Sequence, residues 1–145
     1  LLRKKLSALV ILTSLVPGMG YAQTATTRMA ECLVSSTTGA ERVALARWIG
    51  FAIIAHPSVS ENVAVPKVVI DQSDQEIAEL LTQLMTDRCR AQSIASLAES
   101  DASFENAFEV LGAVAMEELM RDKAVEARIT AFAALIDESR FSGMD

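Results

Sequence analysis

The chain has 145 residues, a formal net charge of −6 and 51% hydrophobic residues, which suits one ordinary folded domain. An acidic surface is repelled by nucleic acid and by anionic lipid, so neither is expected as a partner, whereas a basic protein is compatible with it. One histidine and two cysteines leave too few ligands for a zinc or iron site, no calcium-loop spacing of Asp and Gly occurs, and no cofactor or metal is expected.

Arg3, Lys4 and Lys5 precede an apolar run over residues 6–16, followed by Pro17, Gly18 and small residues up to Ala22. This is the three-part layout of a secretory signal peptide, and the run is shorter than the roughly 20 residues that a membrane span needs. Cleavage is expected near Ala22, with Ala25 as the alternative, and the product is expected in the periplasm or outside the cell. Removing residues 1–22 leaves 10 basic against 19 acidic residues, a net of −9 over a single helical domain of residues 23–145 without an integral membrane segment. Residues 23–30 are small and polar and read as a loose arm. Export and an even cysteine count predict a Cys32–Cys89 disulfide.

Thr38 and Glu41 form a capping-box pattern ahead of a run over residues 43–55 in which Arg47 is the only strongly polar side chain. Because this segment is apolar nearly all round, residues 38–55 are expected to form a central helix wrapped by the others. Pro57 ends it. Residues 57–72, with Pro57, Pro66 and two valine-rich pieces, read as a crossover loop. A second capping-box pattern, Ser73 with Glu76, predicts a helix over 74–92, with Ile77, Leu80, Leu84, Met85 and Cys89 on its apolar stripe. Residues 99–103 are a break. A long helix is predicted over 104–120, with a close crossing at Gly112, and a last one from Asp122 to about Ser139. The fold class expected is all-α: a small single-domain bundle of four to five helices around the central apolar helix, with one disulfide.

Chemistry is sparse. The lone histidine, His56, stands at a helix end beside Pro57, far from any nucleophile motif, and reads as a cap-region residue. Carboxylate pairs such as Glu117 with Glu118, Asp137 with Glu138 and Glu105 with Glu109 fall on the polar sides of helices, where a solvated face is the ordinary role. No catalytic residue is assigned. Arg47 is either paired with a glutamate of a neighbouring helix, extended along its stem to the surface, or, with Trp48, part of a ligand pocket. Arg47, Trp48 and His56 are therefore the candidate ligand or partner contacts. The function expected is non-enzymatic binding of another envelope protein. The alternative is a carrier of a small apolar, acidic or amphipathic ligand in an interhelical pocket near Arg47 and Trp48. An enzyme using surface carboxylates is the weakest reading.

Overall fold

In the computed structural model, which describes residues 23–141, Thr24 opens the first helix by accepting the backbone N–H of Thr27 at its hydroxyl. This helix, α1 (Ala25–Ser35), buries Ala25, Met29, Ala30 and Leu33. The loose arm expected over 23–30 is thus corrected: four residues on one face are enough to hold these polar threonines in a packed helix. The expected leader, residues 1–22, lies outside the described residues.

Helix α2 (Gly39–Ile54) starts at the capping box read from the sequence, with Glu41 N–H on the Thr38 hydroxyl and Thr38 N–H on the Glu41 carboxylate. After a four-residue helix α3 (Pro57–Ser60) and a short connection, α4 (Lys67–Gln83) begins directly behind Pro66. The crossover loop expected over 57–72 is therefore corrected to residues 61–66. Pro57 and Pro66 start helices here, the position where a missing N–H costs nothing. Ser73 sits inside α4, buried, so it is not the cap that its spacing from Glu76 suggested. A π turn (Leu84–Arg88) follows and breaks the expected 74–92 helix. Helices α5 (Arg90–Glu99), α6 (Asp101–Met120) and α7 (Lys123–Thr130) complete the chain, with 3-10 turns at Ala131–Leu135 and Glu138–Phe141. Ser100 and Asp122 cap α6 and α7.

The fold is an all-α bundle in which α1, α2, α4, α5 and α6 carry the packing. Helix α6 touches α1, α2, α5 and α7, whereas α4 lies on the outer side of α2. Ser103, Ala107, Leu111 and Ala115 recur every four residues along α6 and are buried, and their small neighbours let α1 and α2 come close to its axis. The core they join contains Met29, Leu33, Leu45, Ile77 and Leu84. Helix α2 is wrapped as expected at Ala44, Leu45 and Ala46, but its second half is open, and Ile53 is 56% exposed. The centre of the bundle belongs to α6, because α3 and the α4 start cover only one side of the greasy end of α2.

Cys32 and Cys89 are joined, with Cα atoms 5.8 Å apart, and tie α1 to the turn between α4 and α5. Gly112 faces Ile49 of α2, where a methyl group would stand 3.9 Å from Ile49 Cδ1, so α2 and α6 cross there at ordinary packing distance. Among the described residues no helix is long and apolar enough to cross a membrane.

Candidate functional site

Arg47 and Trp48 both bridge α2 to α4. The Arg47 Nη2 donates to Glu76 Oε2 at 2.5 Å, and the Trp48 indole N–H donates to Asp74 Oδ1 at 2.8 Å while its ring packs on the core. The arginine is about half exposed, so its charge is held by a neighbouring helix without leaving water. His56 lies past the end of α2 and is the N-cap of α3. Its Nδ1 accepts the Ser58 backbone N–H at 3.3 Å and contacts the Ser58 hydroxyl at 2.8 Å, a role that requires this nitrogen to be unprotonated. The three residues share no hydrogen bond or ion pair with one another among the described residues, and none of them lines the grooves described below.

The best-ordered polar constellation is at the other end of α2, beside the disulfide. The Arg88 guanidinium makes a two-pronged pair with Glu41, at 2.9 and 3.1 Å, and also reaches the Ser36 carbonyl and the Gln83 amide. Glu41 serves the capping box at the same time. The Arg88 fork and the Thr38 N–H hold its carboxyl down at a pKa of about 2, and partial burial opposes them weakly. Next to it, Arg42 bonds the Thr37 carbonyl and pairs with Glu118 of α6 at 3.3 Å. The Arg88–Glu41 and Arg42–Glu118 pairs join α2 to the π turn and to α6, while the capping box and the Arg42–Thr37 bond fix the start of α2 itself. The sequence shows Arg88 only as a residue beside Cys89; its role depends on the π turn, which no local pattern announces.

The candidate carboxylates are dispersed. Glu118 pairs with Arg42, Glu117 with Arg121, and Asp137 caps a turn at Ser139. Among the described residues no three His, Cys, Asp or Glu side chains converge as metal ligands. Buried hydroxyls of Ser93, Ser96 and Ser103 bond to the Cys89 carbonyl, to each other and to Glu99, where they let α5 lie close to α1 and α6. With serines facing inward, Ile94 and Leu97 of α5 point to solvent.

What remains conspicuous on the surface is apolar. Ile53, Val63, Val68 and Val69 are exposed around the joint of α2, α3 and α4, and Val68 reaches 60% exposure. At the same joint is an open groove of about 290 Å³ lined by Phe51, Ile54, Val63, Val65 and Ile70; Ile53, Val68 and Val69 stand outside it. A second groove, of about 600 Å³, runs between α1 and α6 and is lined by Ala30, Val34, Val110 and Val114, with Glu31 on its rim. The sequence carried a signal for the first surface in its valine-rich pieces at 63–65 and 68–70, where Val63, Val68 and Val69 are exposed and Val65 and Ile70 are partly covered. Compared with protein-family models, curated proteins and solved structures, the chain matches none of them.

Proposed function

We infer that this protein binds another protein of the cell envelope through the apolar surface at the joint of α2, α3 and α4, without catalysing a reaction. The observations that carry this reading are the exposure of Ile53, Val63, Val68 and Val69 on the elements that meet at this joint, and the apolar groove there, which Val63 shares with Phe51, Ile54, Val65 and Ile70. Large apolar side chains exposed together on a small domain are the usual mark of a protein-binding surface, and here Glu61 and the Lys67–Asp71 pair stand among them as polar surroundings. The helix ends there are rigidly placed: Pro57 and Pro66 each open a helix, and His56 caps the short one. The groove is open to solvent along the surface, which suits a protein side chain or helix face. A net charge of −6 over the whole sequence selects against acidic competitors, so the partner's rim is expected to be basic.

The test is affinity capture from envelope extract with the oxidised protein and with Ile53→Glu/Val68→Glu. Both positions are exposed, so the variant keeps its helical circular dichroism. The reading requires a defined protein that the wild type captures and the variant loses. Equal capture by both would reject it.

A further inference from the structure

We propose that α4 has two alternative starts, the one behind Pro66 seen here and a second at Ser73, and that residues 61–72 are released as one arm when the second is taken. The proposal concerns the isolated chain, so it stands or falls apart from the binding reading above. Three observations carry it. The start behind Pro66 has no side-chain cap. The first turns that follow, residues 67–72, hold three β-branched residues in a row, and of these six positions only Ile70 is even partly covered. Such a segment gains little from helix propensity or from packing, and the exposed Lys67–Asp71 pair adds little more. The Ser73 hydroxyl, in contrast, is buried, with the residue 2% exposed, and has no hydrogen-bond partner. A buried hydroxyl left in that state is costly, and it favours any rearrangement that gives it a partner.

Moving the start to Ser73 answers all three. As the N-cap, Ser73 accepts the Glu76 N–H at its hydroxyl, its own N–H donates to the Glu76 carboxylate, and Asp74 enters the first turn, where negative charge is favoured. The chain holds the template for this arrangement at α2, where Thr38 and Glu41 make the same box while Glu41 also pairs with Arg88. Glu76 is already held by Arg47 and Asp74 by the Trp48 indole, and Ile77, Leu80 and Leu84 lie in the core, so α4 from Asp74 onward stays docked in both states. The second start gives up the helical turns of residues 67–72 and the partial cover of Ile70. Openings with so few buried contacts at stake lie at the low-energy end of local unfolding. The released arm carries Val63, Val65, Val68, Val69 and Ile70, which are fixed on the joint in one state and free to follow another surface in the other.

The test is amide hydrogen exchange, read residue by residue by NMR on the protein expressed from its full sequence. Amides 71–75 lose their helical partners at the second start, Glu76 exchanges its partner for the Ser73 hydroxyl, and those from Ile77 on keep theirs. The expected profile is therefore a step: residues 71–75 share one opening at least about twentyfold more frequent than that of residues 77–83, and Glu76 falls on the protected side. Ser73→Ala removes the cap and is expected to slow exchange at 71–75 at least about fivefold. Val68→Ala/Val69→Ala, at two exposed positions, is expected to slow the same amides by favouring the longer helix. Glu76→Ala separates a capped second start from plain fraying. It takes the box away from the open state and should slow exchange at 71–75 about twofold or more, whereas a fraying end that loses its tie to Arg47 exchanges as fast as before or faster. Protection that declines smoothly from residue 83 to residue 71, equal protection of 71–75 and 77–83, or unslowed exchange in Glu76→Ala would each overturn the proposal.

Discussion

Cutting the Cys32–Cys89 bond should remove a large share of the stability of this domain. The bond closes a separation of 57 residues, and loop-closure entropy makes that worth about 4 kcal/mol in the unfolded state. At about 2.1 cal/mol/K of unfolding entropy per residue, a domain of roughly 120 residues would lose on the order of 15 °C in Tm. Against a typical total of roughly 5–15 kcal/mol, that is between about a quarter and about four fifths of what holds the fold. The assay compares thermal and urea unfolding of the oxidised protein, the reduced protein and Cys32→Ala/Cys89→Ala, followed by circular dichroism. Alanine is preferred to serine because Cys89 is fully buried and a new hydroxyl there would need a partner. The double variant should fall slightly below the reduced wild type, since it also loses the packing of the Cys89 sulfur. A fall in Tm of less than about 4 °C on reduction would refute the entropy argument. Two free thiols titrated in the purified protein without reductant would refute the bond itself.

Other substitutions probe the bundle in both directions. Leu111→Ala, at a fully buried position in the middle of α6, should cost roughly 3 kcal/mol in urea unfolding. Gly112→Ala should instead raise stability by up to about 1 kcal/mol, because a methyl group there meets Ile49 only at 3.9 Å while the helix gains the better residue. Glu41 has a folded pKa of about 2 against an ordinary 4.5, so its stabilisation is present above pH 5 and is lost as pH falls toward 2. Urea midpoints of the wild type should decline over that range, and Glu41→Gln should start lower at pH 7 and decline less. Thr38→Ala, which removes the cap hydroxyl from the Glu41 N–H, should cost about 1 kcal/mol.

Where the sequence was informative, the signal was local. The Thr38–Glu41 capping box and the Asp122 start of α7 each lie within a few residues and are where the pattern places them, whereas on α6 the deepest residues are Ser103, Ala107, Leu111 and Ala115. Cysteine count and export logic were enough for the disulfide. The misreadings share a cause, which is that tertiary contacts overrode local preference. Helix α1 is anchored by Met29 and Leu33 against α6, although its first residues are threonines that alone would favour a loop. Pro66 and the β-branched residues after it suggested an extended crossing, yet Val68, Val69 and Ile70 form the first turns of α4. The π turn is held from outside by the Cys32 bond and by Arg88 on Ser36 and Glu41. On α5 the serines point in and the leucine and isoleucine point out, which inverts the usual reading of a stripe; close approach to α1 is possible only with small side chains there. The candidate contacts show the same limit. Arg47 could be placed in apolar company from the sequence, but its partner Glu76 becomes a neighbour only once α4 lies along α2.

The most direct test of the binding surface is photo-cross-linking in the living cell, with a benzophenone amino acid at position 53, at position 68, or at the acidic control position 79. The expected result is an adduct with one and the same envelope protein from positions 53 and 68 and none from 79. Adducts of equal yield from all three, or from none, would contradict the assignment of the α2–α3–α4 joint as the place where this protein meets its partner.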